Sequence, residues 1–242
     1  MSPALAVLFL GFALGMRHAT DADHVAAVAT IVSREQSVRA SGLVGVVWGV
    51  GHTITIVLVG GAIILFGVVI PPRLGLTLEL AVAVMLLVLG VTNLAPMTRV
   101  DPVACGPRPR TVAVPPLLLA RSLVVGVVHG LAGSAAVALL VLATIPGPRW
   151  ALVYLFVFGG GTVAGMMLLT SLIAVPFALV RGAEQGRDGV VSVARARERL
   201  SQVNRLLVRA SSLVSIGLGI WLVYKIGIAD GLFSGTPRWT PG

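Results

Sequence analysis

The sequence predicts an all-α integral membrane protein with six transmembrane helices, and its composition is the first reason. Hydrophobic residues make up 57% of the 242 residues and charged residues only 11%. A soluble domain typically holds about 45–50% apolar and about 25% charged residues. The apolar residues also run in long stretches between breaks rich in Pro and Arg. Because most of the chain is needed for helices, we expect residues 1–242 to form a single transmembrane domain.

Six apolar segments are long enough to cross the hydrocarbon core, which takes about 20 helical residues. Short charged or Pro-containing turns separate most of them. A Pro/Arg-rich loop at 96–117 separates the third from the fourth. Before the sixth lies a polar stretch at 181–205, for which a surface helix and a flexible loop remain two alternatives. The approximate segments are 3–32, 42–69, 77–95, 118–145, 151–180 and 208–228.

The basic residues indicate how these segments cross the bilayer. Thirteen of the 18 Lys and Arg residues fall in or beside the first, third and fifth loops. By the positive-inside rule those loops are cytoplasmic, including 96–117, and both termini are extracytoplasmic. The net charge of +9 is then a topology signal, so we expect the lipid bilayer as a partner and no nucleic acid. The sequence is compatible with a homo-oligomer and does not define one.

Short motifs recur in the two halves of the chain, 1–95 and 118–228. Because each half has three spans, an odd number, the second half would be inserted upside down. Inverted repeats of this kind are common in transporters, with the site where the halves meet. We therefore predict an inverted 3+3 repeat. The matched motifs are Gly15-Met16-Arg17-His18 with Gly126-Val127-Val128-His129, Gly51-His52-Thr53 with Gly160-Gly161-Thr162, and Leu89-Gly90-Val91 with Leu218-Gly219-Ile220.

All four histidines of the chain lie inside predicted spans, and two aspartates accompany them in the first span. An ionisable group in a span costs about 2.5–3.5 kcal/mol on insertion scales, so it usually marks a site or a pathway. A bound dication compensates such groups, because it neutralises carboxylates and is ligated by neutral imidazole. The alternative for a buried histidine is a hydrogen bond to a carbonyl. The candidate metal ligands are His18, Asp21, Asp23, His24, His52 and His129.

Helical spacing constrains the first-span residues. At about 100° per residue, His18, Asp21 and His24 share one helix face, and Asp23 points away. Arg17 and Asp21 are four residues apart and can pair along a helix, so Asp21 as a metal ligand and Asp21 as the partner of Arg17 both remain open. We expect a distortion of the helix between residues 18 and 24, because a regular helix cannot bring Asp23 and His24 to one ion together with His18.

The motifs around these residues resemble the signature of the NiCoT family of nickel/cobalt transporters. They are His18-x4-Asp23-His24, Trp48-x-x-Gly51-His52-Thr53, and a third, His129-Gly130-Leu131, that looks like the shorter, urease-associated branch. The resemblance implies uptake of Ni²⁺ or Co²⁺ across the cytoplasmic membrane by a secondary carrier that is not an enzyme and has no resident cofactor. Imidazole with carboxylate suits nickel and cobalt, and also zinc and copper.

The chain departs from the longer family members, and other functions stay in competition. Those members have eight spans and acidic residues in later motifs, where this chain has Ser134, Ala136 and Thr170. We therefore expect the second half to shape the path more than to bind metal. The same ligands would serve an efflux carrier. A metal-dependent intramembrane hydrolase would need a general base, and no His-Glu-x-x-His motif occurs in the sequence.

Overall fold

The computed structural model describes residues 3–33, 37–68, 70–94, 114–131, 145, 147–185, 192–235 and 237–239. These residues form seven α-helices and no strand, which confirms the predicted all-helical fold class. The last helix continues into a π-helical turn at Lys225–Ala229. The helices are α1 Pro3–His18, α2 Ala22–Val32, α3 Val38–Phe66, α4 Pro72–Leu94, α5 Pro116–Leu131, α6 Pro148–Gln185 and α7 Ser192–Tyr224.

Four of these helices contain a segment that is long and apolar enough to cross a membrane. The segments are Val38–Phe66, Pro72–Leu94, Pro148–Pro176 and Arg205–Ala229, and they correspond to the second, third, fifth and sixth predicted spans. The protein is therefore a multi-pass membrane protein. The first predicted span is divided between α1 and α2. The fourth overlaps α5, and its remainder at 132–144 lies outside the described residues.

The interruption of the first span occurs where the sequence predicts a distortion. Helix α1 ends at His18 and α2 begins at Ala22. Between them, the amide of Thr20 donates to the carbonyl of Arg17 (2.9 Å) and the amide of Asp21 donates to that of His18 (3.1 Å). Asp21 is extended, with φ −61° and ψ 148°, and precedes the first turn of α2. The prediction of a distortion between residues 18 and 24 is confirmed.

The polar stretches differ in how much of them the structure describes. Of the predicted loop at 96–117, residues 96–113 lie outside the described residues and α5 begins at Pro116. Pro is well suited to the first helical turn, because its missing N–H has no partner there. In the stretch 181–205, α6 continues to Gln185 and α7 begins at Ser192. The flexible-loop alternative is wrong for those described parts, and 186–191 fall outside them.

The helices pack so that α1, α2, α3 and α5 meet around one buried region. Helix α3 packs along both α5 and α6, α1 packs on α6, and α4 packs on α7. Buried Trp48 on α3 and Met166 on α6 belong to the core that surrounds the short helix α2. Helices α2, α4 and α7 are joined by Asn93, whose Nδ2 donates to the hydroxyls of Ser33 (3.0 Å) and Ser212 (2.9 Å).

Candidate metal centre

Four histidine rings from four different helices converge in this buried region. His18 is the last residue of α1, His24 lies in the first turn of α2, His52 lies in the middle of α3, and His129 lies near the end of α5. Their exposed fractions are 6%, 0%, 1% and 0% in that order. The ring centroid of His24 is 4.7 Å from that of His18, 5.1 Å from that of His52 and 4.0 Å from that of His129. The four predicted histidines therefore lie in one buried cluster.

His18 connects an aspartate to a second histidine. Its Nδ1 donates to Oδ2 of Asp21 (2.8 Å), and its Nε2 lies 3.0 Å from Nε2 of His52. The Asp21 side chain is 45% exposed, so one edge of the site is open. Within the part of the chain that the structure describes, no ion pair joins Asp21 to the exposed Arg17. The helix ends at His18, and these two residues are no longer related by a regular helical turn.

Asp23 lies between two of the imidazoles. Its Oδ1 accepts from the backbone amide of His24 (3.0 Å) and lies 3.2 Å from Nδ1 of the same residue. Its Oδ2 lies 2.9 Å from Nε2 of His129. Asp23 is the acidic residue in the first turn of α2, where the helix dipole favours a negative charge. The break before α2 is what brings Asp23 into the same site as His18.

Three buried ring nitrogens have no hydrogen-bond partner among the described residues. They are Nε2 of His24, Nδ1 of His52 and Nδ1 of His129. Leaving a buried polar atom unpaired costs about 1–3 kcal/mol, so such atoms call for an explanation. For Nε2 of His24 a cation is one explanation, since a neutral imidazole offers a lone pair on one ring nitrogen. The cluster can thus supply nitrogen ligands and the Asp23 carboxylate to a cation.

Aromatic side chains that were not predicted as site residues surround the cluster. The Trp48 ring stacks over His24 at 6.3 Å with 22° between the ring planes, and the Phe158 ring lies 5.7 Å from that of His18. Trp48 precedes His52 by about one helical turn, which puts both on one face of α3. The sequence could have indicated through this spacing that Trp48 lies beside the site. Phe158 lies in an apolar run and had no such signal.

These features define a multi-pass helical membrane protein with a buried histidine–aspartate cluster. The family model described as high-affinity nickel-transport protein, NicO, matches residues 4–100. The urease accessory protein UreH of Bacillus sp. (strain TB-90) is 33% identical over 237 residues, which cover 95% of this chain and 95% of UreH. No solved structure matches the chain.

The chain therefore belongs to the NicO family of nickel-transport proteins. The resemblance inferred from the motifs around His18, His52 and His129 is confirmed, including its urease-associated branch. Membership of a transporter family also confirms that the protein is a transporter and not an enzyme, so the intramembrane hydrolase alternative is excluded.

Proposed function

We propose that the protein is a secondary carrier that takes up Ni²⁺ or Co²⁺ across the cytoplasmic membrane. The observation that carries this proposal is the convergence of His18, His24 and His52 in a buried region of apolar helices. Imidazole is a ligand type that nickel and cobalt favour. The nickel-transport description of the family supports the choice of ion.

The contacts support a role for each candidate ligand. His18, His24, His52 and His129 are proposed to bind through ring nitrogens, and Asp23 through a carboxylate oxygen. Asp21 is proposed to orient His18 without contacting the ion. Its carboxylate accepts a hydrogen bond from Nδ1 of His18, which leaves Nε2 of that ring free to bind the ion. Carboxylates that hold a histidine in this way fix its tautomer and make it a better ligand. Asp21 accordingly belongs to neither of the two groups of potential ligands that lie close together.

We propose six crossings, with both termini extracytoplasmic and the loop 96–117 cytoplasmic. The first crossing would be α1 and α2 together, and the fourth would begin with α5. Interrupted helices at a binding site are a recurrent feature of transporters, because the free backbone groups line a cavity. The concentration of Arg in the odd-numbered loops supports this orientation.

Close approaches at glycines support the inverted repeat of 1–95 and 118–228. A Cβ at Gly15 would collide with the carbonyl oxygen of Phe158, and a Cβ at the matching Gly126 would collide with that of Trp48. In the first contact the glycine belongs to the first half, and in the second contact the glycine belongs to the second half. A two-fold axis that relates the halves requires such pairs of contacts. Two further pairs of close contacts are related in the same way. They are Gly51–Leu123 with Gly161–Phe12, and Gly90–Ser212 with Gly219–Ala83.

These exchanged contacts refine the alignment of the halves by one residue. Gly51 corresponds to Gly161 in the contacts, whereas the motifs alone matched it to Gly160. His18 still corresponds to His129, and His52 then corresponds to buried Thr162. The halves thus offer unequal ligands at equivalent positions, and the second half supplies His129 alone among the candidate ligands.

Import is favoured over export by the description of the family, since the ligands alone would serve either direction. High affinity suits the capture of an ion from a dilute supply. The family description as high-affinity agrees with this direction. Export by the same scaffold is the alternative that the uptake experiment tests.

The test is uptake of radioactive nickel and cobalt by cells that express the protein. Saturable uptake is expected, with loss of uptake for His24→Ala. The matched control is Val50→Ala, which removes an exposed side chain of α3 on the face away from the site. Equal amounts of each protein in the membrane are required. Cells that become depleted of metal on expression would identify an exporter, and undiminished uptake by His24→Ala would disprove the site.

A further inference from the structure

The potential ligands fall into two groups of three that have only His24 in common. The His52 group consists of His18, His24 and His52, and the His129 group consists of Asp23, His24 and His129. In each group, one ligand atom from every residue lies within 4.8 Å of the others. The His52 group offers nitrogen alone, whereas the His129 group offers nitrogen and a charged carboxylate oxygen.

We propose that these groups are two successive positions of the transported ion, and that the ion moves between them while His24 remains bound. This inference rests on the proposed function and adds a path inside the site. The ion exchanges His18 and His52 for Asp23 and His129, or the reverse. One ion occupies the pair of positions at a time.

The contacts within each group support two positions. Nε2 of His18 lies 3.0 Å from Nε2 of His52, and Nε2 of His129 lies 2.9 Å from Oδ2 of Asp23. Among the described residues, no hydrogen bond joins the first pair to the second pair. The atoms best placed to ligate are therefore gathered at two points, with His24 between them.

The two ring nitrogens of His24 have different surroundings. Nδ1 lies 3.2 Å from Oδ1 of Asp23, on the side of the His129 group. Nε2 is buried and has no hydrogen-bond partner in the described part of the chain. A neutral imidazole has a lone pair on one nitrogen only, so His24 would hold the ion through the same nitrogen in both positions. Because both positions share this ligand, the ion keeps at least one protein ligand while it moves. This matters in a low-dielectric region, where an isolated charge is very unfavourable.

The exposure of the two aspartates indicates which of the two positions lies nearer to solvent. Asp21, which contacts His18 at the edge of the His52 group, has a side chain that is 45% exposed. Asp23, which belongs to the His129 group, is 19% exposed, and His129 itself is fully buried. The His52 group is thus the position nearer to solvent. The His129 group is the deeper position, where a carboxylate compensates part of the charge of the ion.

Cobalt is a suitable probe, because the visible absorption of bound Co²⁺ depends on the number and type of its ligands. The purified full-length protein is titrated with Co²⁺ as wild type, His52→Ala and His129→Ala. We expect each to bind one ion per chain, with an all-nitrogen spectrum for His129→Ala and a mixed nitrogen–oxygen spectrum for His52→Ala. His24→Ala removes a ligand from both positions and should weaken binding more than about 100-fold, beyond the effect of losing an outer partner.

Uptake gives the second readout. Both His52→Ala and His129→Ala should bind Co²⁺ and yet transport neither Ni²⁺ nor Co²⁺, because each retains one position and lacks the other. Val50→Ala and Val124→Ala, which alter exposed side chains of α3 and α5, should bind and transport as wild type does. If an Ala variant does not reach the membrane, the Gln variant, which keeps most of the side-chain volume, replaces it.

The outcomes separate this inference from the proposed function. Identical spectra for His52→Ala and His129→Ala would overturn the two positions in favour of one site, as would normal uptake by either variant. Two Co²⁺ ions per wild-type chain would overturn their alternate occupancy. Absence of nickel and cobalt uptake by the wild-type protein would instead refute the proposed function.

Discussion

The Nε2 atoms of His18 and His52 lie 3.0 Å apart, although 34 residues separate them in the chain. Metal–nitrogen bonds to histidine are about 2.0–2.1 Å long, so two such ligands at a right angle around one ion have their nitrogens about 3 Å apart. The pair therefore has the spacing of two ligands of a common ion. A ligand pair set in advance by helix packing needs little rearrangement on binding, which favours affinity.

We expect His18 and His52 to behave as a unit in metal binding. Each of His18→Gln and His52→Gln should raise the Kd for Co²⁺, and the double variant should raise it little further than the larger single effect. The reason is that both act on one ion, and residues in one network are not additive. The measurement is a double-mutant cycle of Kd values by titration. Fully additive effects would show that the two rings do not share an ion.

Asp21→Ala should weaken binding without unfolding the protein. Loss of an outer partner of a metal-ligating histidine typically costs about 10–100-fold in affinity. The Asp21 side chain makes no capping hydrogen bond to α2 in the described structure, so the helix loses little stability. Kd for Co²⁺ is measured beside Thr20→Ala, a neighbouring exposed control. An unchanged Kd for Asp21→Ala would exclude the orienting role, and a loss as large as that of His24→Ala would make Asp21 a direct ligand.

Adjacent glycines of α6 should respond differently to the same substitution. A Cβ at Gly161 would collide with the backbone of Phe12, whereas a Cβ at Gly160 meets no atom of the described residues within 4 Å. Gly161→Ala should force α1 away from α6 and destabilise the protein by about 1–3 kcal/mol, as overpacking does. Gly160→Ala should be neutral or stabilising, by up to about 1 kcal/mol from helix propensity. The Tm of each variant is measured by thermal unfolding in detergent. Equal Tm values would contradict the close packing of Gly161 against Phe12.

Asn93→Ala should lower stability and leave metal binding intact. The variant loses two buried hydrogen bonds, each with a net contribution of about 0.5–1.5 kcal/mol, to Ser33 on the C-terminal side of α2 and Ser212 on α7. Both serines keep their own bonds to backbone carbonyls, so their hydroxyl protons stay paired. A lower Tm with an unchanged Kd for Co²⁺ is expected. A changed Kd would show that this network positions the ligands.

The sequence predicted the helical class, the burial of all four histidines and the interruption of the first span, since each rests on a local pattern. Hydrophobic runs reveal helices, and charged residues within a run reveal a site. The partner of Asp21 was not predictable in the same way. The spacing to Arg17 is meaningful only on a continuous helix, and the helix ends between them, so Asp21 contacts His18 instead.

The division of the ligands into two groups was also beyond the sequence. It depends on which ring nitrogen of each histidine faces which neighbour, and thus on how α3 and α5 are rotated against each other. Close backbone approaches at Gly51 and Gly126 set that rotation. The motifs contain those glycines, but their partners lie on other helices and cannot be inferred from spacing.

The contact between Asp23 and His129 spans 106 residues and therefore has a consequence for synthesis. A nascent chain that has released α1 to α3 already carries every member of the His52 group. The His129 group cannot form until α5 has been made and has packed against α3, because contacts distant in sequence must wait for their later partner. The order in which the chain leaves the ribosome is then the order in which its two ligand groups become complete, and a chain truncated before α5 would contain only the first.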